Sequence, residues 1–424
     1  MVPNLTTALT GPLNELEQRL LDATPVIERW FRLEWMEHTP PLYSSVDIRN
    51  AGFKLAPVNA NLFPDGWHNL SPEVLPLAMQ AAQAAIEKIC PEARNLLIVP
   101  ENGKPSAVYL ASLLRLQEIF RLAGLNVRFG SIDPALKRSA TAALPDGQKL
   151  VLEPALRTRY RVKLKDFDPC TILLNNALSA GAPGILEDLP EQYLLPPLHA
   201  GWSVRRRSRH CGCYEEVGKR FGKLVGIDPW LITPMLAGGP IDLHASDGQQ
   251  VLREHVDSLL TRIRRKYKEY GIGEKPFVIV KADQGAHGAG IMTVRDAKQL
   301  DHEQAACGFD PAGEVIVQEG VLASERLHQA VAEPVVYTID RYVVGGLYRA
   351  HAGRGPDENL NAPGAQFVPL ALAAAAAQLP KLGARAGASA PNRFYMYGVI
   401  GRLALVAASY ELEATDPEMA GEEQ

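Results

Sequence analysis

PFVIVKADQGAHGAGIMTV, residues 276–294, is the stretch on which the reading of this chain turns. An apolar run ends at Lys281, a turn carries Gly285, Gly288 and Gly290, and a second apolar run leaves. Glycines let backbone N–H groups approach phosphate oxygens closely, and the lysine adds a point charge. Gly-Lys-Ser/Thr occurs nowhere in the chain, which excludes a Walker A loop. A dinucleotide-binding loop should open a helix, whereas this one opens a strand. Two strands joined by a glycine-rich flap over phosphates fit the pattern; a long hairpin with an accommodating turn is the other reading.

Downstream, Glu314–Val321 (EVIVQEGV) reads as a strand running into an acidic turn at Gln318-Glu319. Val335–Ala350 (VVYTIDRYVVGGLYRA) reads as a hairpin turned at Gly345-Gly346 and carrying Asp340, Arg341 and Arg349. The segment 358–364 (ENLNAPG) offers Asn359 and Asn361, oxygen donors that suit Mg²⁺ and suit an ordinary turn equally. Upstream, Asp247–Tyr270 predicts an amphipathic helix with Val251, Leu252, Val256, Leu259, Leu260 and Ile263 on one face and Gly271 after it.

The first half has a different rhythm. Residues 12–38 predict helix broken at Pro25, and Pro40–Asn69 reads as loop. Ser71-Pro72-Glu73 opens a further helix, with Ser as N-cap and Pro in the first turn. Leu96–Val99, Ala107–Leu122 and Val127–Phe129 then alternate strand, helix, strand, and Thr171–Leu174 repeats the strand pattern, as a parallel crossover requires. Ligands on such sheets sit beyond the carboxyl ends of the strands, which points to Glu101–Lys104 and Asn175-Asn176. Residues 178–246 are rich in Gly and Pro and hold the basic run Arg205–Arg209, while 411–424 contain six acids and no base and read as a solvated tail.

With 424 residues the chain has room for two or three domains, and 46% hydrophobic against 22% charged residues argues against disorder. Its apolar runs, such as 400–408, fall short of the roughly 20 residues of a spanning helix. The amino terminus shows no basic-then-apolar secretion pattern, and five cysteines are an odd, sparse set; both point to a reducing, cytoplasmic setting. A net charge of −4 gives no long-range pull toward nucleic acid, and the Arg205 run lacks interleaved aromatics, leaving a solvated loop or local anion capture. Cys211-Gly-Cys213 has no second pair at zinc spacing, so it reads as two strand thiols facing one way or a redox-sensitive pair.

Lysine strand, glycine-rich flap, strand, Gln-Glu turn, Asp-Arg hairpin and Asn-rich turn, in that order, resemble the ATP-grasp superfamily. Within it the chain resembles the proteobacterial glutamate–cysteine ligase family, over Glu28–Glu37 (ERWFRLEWME), Thr39–Phe63 (TPPLYSSVDIRNAGFKLAPVNANLF) and Gly201–Tyr214 (GWSVRRRSRHCGCY) as well. The resemblance implies an α/β, ATP-grasp-like ligase, with a substrate-side α/β domain over 1–240, an α+β ATP-binding region over 241–410 and the acidic tail beyond. It implies that ATP phosphorylates the γ-carboxylate of L-glutamate and that the amine of L-cysteine attacks the acyl phosphate. The product would be γ-glutamylcysteine, the first step of glutathione synthesis.

By the same resemblance, Lys281, Gly285, Gly288, Gly290, Gln318 and Glu319 hold ATP, with Lys281 and Arg341 on the transferring phosphoryl group. Arg49, Lys54, Asn59, Asn61, Arg205 and Arg206 bind the amino-acid substrates. Mg²⁺ would be held by Asp340, Asn359 and Asn361, with Glu358 beside them. The chain departs from the superfamily at Tyr397–Ser409, read as C-terminal strands, which contain neither the acid nor the Asn that usually supply metals. The ligands then come from the residues just named or from the region after Ser409, or the site is built differently. Small molecules are the expected partners, with no nucleic acid and no membrane. Another carboxylate–amine ligase, such as a glutathione synthetase, and a non-catalytic nucleotide-binding protein are the alternatives.

Overall fold

The computed structural model describes residues 5–6, 11–103, 105–285, 291–307, 313–370 and 393–417; Lys104, Gly288 and Gly290 lie outside them. A short strand β1 (Leu5–Thr6) precedes α1 (Gly11–Asp22) and α2 (Thr24–Glu37). Leu13, Leu16 and Leu20 are buried at helical spacing, and Pro25 stands in the first turn of α2, where its missing N–H costs no helical bond.

Residues 40–69, read as loop, contain instead β2 (Tyr43–Asn50) and β3 (Leu55–Asn61), and every residue of β2 is buried. Ser, Asp and Asn look like turn formers in isolation; here their side chains are satisfied inside a sheet.

The parallel unit follows as expected: α3 (Leu75–Ile89), β4 (Asn95–Pro100), α4 (Ala107–Leu122), β5 (Asn126–Ser131), β6 (Ala140–Ala143) and β7 (Lys149–Pro154). After a small pair, β8 (Leu156–Arg157) and β9 (Val162–Lys163), come β10 (Thr171–Asn175) and β11 (Tyr193–Leu195). The six-stranded sheet runs β11-β10-β4-β5-β7-β6 and is parallel except where β6 meets β7.

Inside the Gly/Pro-rich stretch lies α5 (Arg207–Val225), a helix despite Gly212, Gly218 and Gly222. Each glycine costs a helix about 1 kcal/mol relative to alanine. Gly218 is needed for close packing, because a Cβ there would stand 2.3 Å from Thr233 Oγ1. Next come β12 (Leu236–Ile241), α6 (Gly248–Glu269), β13 (Val278–Ala282), β14 (Ile291–Val294), α7 (Leu300–Cys307) and β15 (Val315–Glu319). Their strands form a four-stranded antiparallel sheet, β12-β15-β13-β14, and α6 buries Leu252, Val256, Leu259, Leu260 and Ile263.

The third sheet joins both halves of the sequence. β16 (Glu325–Leu327), β17 (Ala330–Ile339), β18 (Tyr342–His351) and β19 (Gln366–Pro369) pair in series with β1, and β2 pairs along β17, so that Val335 faces Asp47 and Ile339 faces Tyr43. A boundary near residue 240 therefore does not divide this sheet. The hairpin turns at Asp340-Arg341, with Asp340 at φ 49°, and not at Gly345-Gly346, which lie within β18. Those glycines serve packing: a Cβ on Gly346 would meet Val335 O at 3.0 Å.

Residues Tyr397–Ser409, read as strands, are part of helix α8 (Arg393–Glu413). Apolar residues occur on all its sides, which suits a helix enclosed by other elements. It packs on α5, β2, β3, β17 and β18. The acidic stretch is not a tail from its first residue, since Glu411 lies in the last turn of this helix at 1% exposure.

Candidate active site

Three strands and one helix, with the turn before it, converge on one cleft of about 510 Å³ open to solvent. β3 supplies Pro57–Ala60, β13 supplies Lys281 and β15 supplies Gln318. Trp202 and Arg205 enter from the turn before α5, and α5 presents Arg207, His210, Cys211 and Tyr214. Positions i, i+3, i+4 and i+7 lie on one face of a helix, which is why these four line one wall. Cys211 and Cys213, two residues apart on a helix, point different ways: Cys211 lines the cleft and Cys213 packs against the core. They are not thiols on one face of a strand.

Lys281 Nζ donates to Gln318 Oε1 at 2.7 Å and to Val58 O at 3.4 Å, while Gln318 Nε2 approaches Cys211 Sγ at 3.4 Å. Burial pulls the Lys281 pKa down; Cys211 and Asp283 oppose that and Arg207 adds to it. Burial also pushes the Cys211 thiol up. Arg207 donates to Ala282 O at 2.8 Å and to Gly285 O at 2.5 Å, and stacks 4.7 Å over Trp202. Helix α5 is thus tied to the root of the glycine-rich loop, beside the strand that carries Lys281.

Glu411, buried on α8, holds two of the lining residues, Arg205 and His210. Arg205 Nε and Nη2 donate to its two oxygens at 2.8 and 2.9 Å, His210 Nδ1 stands 2.9 Å from Oε2, and Arg205 Nη1 donates to Ala60 O at 2.7 Å. Burial works against this carboxylate, but Arg205 and His210 outweigh it and hold its pKa at about 2, against 4.5 when unstructured. The folded pKa is the lower one, so the stabilisation is complete above pH 4.5 and is lost as pH falls through 2. At about 1.4 kcal/mol per unit it amounts to about 3 kcal/mol. Acid unfolding should show it: Glu411→Gln should flatten the stability curve between pH 4.5 and 2, and curves parallel to wild type would contradict the assignment.

The sequence-predicted residues divide. Lys281, Gln318, Asn59 and Arg205 meet at the cleft, and Gly285 stands at its margin through Arg207. Lys54 and Glu319 are turned away from it. Lys54 Nζ lies 2.7 Å from Glu319 Oε2 and both are 1% exposed, with Trp230 Nε1 and Met235 N also donating to the same carboxylate. A charge pair this deeply enclosed is committed to its own compensation and cannot also serve a ligand. Arg49 is held by Glu333, Val321 O and Glu358 O, in a buried network where Arg349 bridges Glu333 and Asp47, and Asn59 donates to Asp47 at 3.3 Å. Asn61 makes a local turn with Phe63, and Arg206 pairs with Glu314 and Asp283 outside the cleft.

Arg341 is also apart. It stands half-exposed beside Asp340 at the hairpin tip, beyond Ile339, itself about 13 Å along β17 from the Val335 register of Asp47 and Asn59. Asn359 and Asn361, where Asn361 N donates to Asn359 Oδ1, lie past the other end of the ten-residue β18, about 30 Å from Asp340 along the strand. The three expected metal ligands are therefore not together, and among the described residues no cluster of three or more His, Cys, Asp or Glu is placed to hold a metal. The described residues do not fit a metal centre built from three or more protein ligands. Trp202 and His210 were not singled out by sequence, and Arg207 and Cys211 were seen only within the basic run and the Cys-x-Cys pair; for Arg207, His210 and Cys211 the i, i+3, i+4 spacing was the available signal.

A cleft lined by Lys281 and Arg207, beside the strand that leads into the glycine-rich segment, suits an enzyme acting on anionic, phosphorylated substrates. The sequence matches the glutamate–cysteine ligase family (GshA) over residues 17–412. A crystal structure at 1.90 Å from Methylobacillus flagellatus KT, described as a gamma-glutamylcysteine synthetase, is similar at 51% identity, covering 98% of this chain and 100% of that one with a TM-score of 0.89. A glutathione synthetase-like effector, GSS30 from Globodera pallida, reaches only 10% identity and a TM-score of 0.38 over 79% of this chain and 76% of that one, and carries no argument. No curated protein matches. The chain belongs to the glutamate–cysteine ligase family. It is an enzyme, a ligase of glutamate and cysteine in glutathione biosynthesis, and such catalysis depends on ATP and generally on a divalent metal. No helix among the described residues is long and apolar enough to cross a membrane.

Proposed function

We propose that the cleft carries out an ATP-grasp type of ligation, with the four-stranded sheet and its glycine-rich loop as the nucleotide side. Lys281 carries this reading, because it is the cation on the strand entering the loop and it points into the cleft. ATP transfers its γ-phosphoryl group to the γ-carboxylate of L-glutamate and ADP leaves. The amine of L-cysteine then attacks the acyl carbon and phosphate leaves, giving γ-glutamylcysteine. Lys281, Arg207 and loop amides offset the charge spread over the transferring group. Asn59 contributes to amino-acid binding, and Arg205, paired with Glu411, holds the wall beside it. Mg²⁺ is the cation we assign, entering with the ATP phosphates, since it commonly takes only one or two protein carboxylates.

ADP release tests the substrates directly. It should require glutamate plus cysteine; release only with γ-glutamylcysteine plus glycine would make the chain a glutathione synthetase instead. ATP binding without any amino-acid-dependent release would leave a nucleotide-binding protein.

A further inference from the structure

We infer that His210 is the base that deprotonates the incoming cysteine amine and that Glu411 is its positioning residue, an inference that rests on the ligase reading above. Glu411 Oε2 lies 2.9 Å from His210 Nδ1. A carboxylate oxygen only accepts, so the proton resides on Nδ1 and Nε2 keeps its lone pair. The 3.2 Å approach of Arg205 Nη2 to the same Nδ1 is then a contact between two donors converging on one carboxylate, not a hydrogen bond. Among the described residues Nε2 has no protein partner, and the imidazole, its side chain 14% exposed, lines the cleft that Lys281 enters.

The reaction needs such a group. Near neutral pH a free cysteine arrives mainly as its ammonium, which has no lone pair to attack with. Nε2 takes one proton and becomes imidazolium, facing Glu411. The freed amine attacks the acyl carbon, the C–N bond forms, and the C–O bond to phosphate breaks with its electron pair on the phosphate. The remaining extra N–H proton goes to that phosphate. The charged groups facing His210 come from three elements: Glu411 on α8, Arg205 before α5 and Lys281 on β13. Burial, with Arg205 and Lys281, keeps the imidazole neutral against the pull of Glu411, so the base is present in its accepting form at pH 7.

Hydroxylamine, already neutral at pH 7, separates the roles. With ATP and glutamate, His210→Gln should lose about 10²–10⁴-fold in cysteine ligation. Formation of γ-glutamyl hydroxamate should fall far less. Equal losses with both nucleophiles would make His210 structural, and no loss with cysteine would remove it from the reaction. If wild-type protein makes neither product, the ligase reading itself fails. Should His210→Gln not fold, wild type gives the answer through pH: kcat/KM expressed per neutral amine should still fall on the acid side with cysteine, and should stay level with hydroxylamine once its own protonation is divided out. In Glu411→Gln that acid limb should move to lower pH, because the carboxylate favouring imidazolium is gone; a limb that does not move would overturn the positioning role.

Discussion

Glu319→Ala is expected to lower the unfolding free energy by about 3–5 kcal/mol, because it leaves a buried ammonium without its counter-charge. Three donors complete this carboxylate's shell: Lys54 Nζ at 2.7 Å, Trp230 Nε1 at 3.0 and 3.2 Å to the two oxygens, and Met235 N at 2.9 Å, while Glu319 N itself donates to Met235 O. The Lys54 ammonium also sits 4.5 Å from the Trp230 ring centroid, and Phe53 stacks on that indole. Denaturant unfolding of Glu319→Ala, Lys54→Met and the double variant measures the pair. The double variant should lose less than the sum, since neither charge is then stranded. Additive losses would show that the contacts act independently. Burial lowers Lys54 to about 8, partly offset by Glu319, against 10.5 when unstructured. Between those values the unfolded chain holds more protons, so stability should rise with pH there, and in Glu319→Ala the rise should begin at lower pH.

Lys281→Ala should reduce turnover by about 10²–10³-fold, the usual cost of one lost electrostatic donor at a reacting centre. Folding should survive, because the partners it releases, Gln318 Oε1 and Val58 O, border an open cleft where water can replace the ammonium. Amino-acid-dependent ADP release, paired with thermal unfolding of the same sample, separates the two effects. Near wild-type turnover would take Lys281 off the phosphates, and a large fall in melting temperature would make the loss structural.

Elements whose stabilising contacts are local could be read from the sequence. α4 follows from the strand–helix–strand alternation around it, α6 from its buried stripe, and the strand–glycine–strand unit around Lys281 from its apolar runs and turn residues. What depends on distant partners could not. β2 reads as loop until β17 is beside it, and the Arg49–Glu333 pair spans 284 residues. α8 reads as strand because a continuous apolar run fits a buried helix as well as a buried strand. Nothing local distinguishes Lys54, paired in the interior, from Lys281, facing the cleft: both are lysines beside apolar residues. His210 needed α5 to be recognised first, and its glycines conceal the helical period.

The insertion of β2 and β3 beside β17 also fixes when the protein can become whole. At about 5–20 residues per second, the 284 residues between Arg49 and Glu333 separate the two partners by on the order of 15–60 s on the ribosome. For that interval Val46 and Ile48 have no sheet to enter, although both are fully enclosed in the finished molecule. Closing so long a loop makes this the slow step of assembly. The cleft wall formed by Pro57–Ala60 hangs from the same hairpin, so the active site is completed only after the last strands have been made.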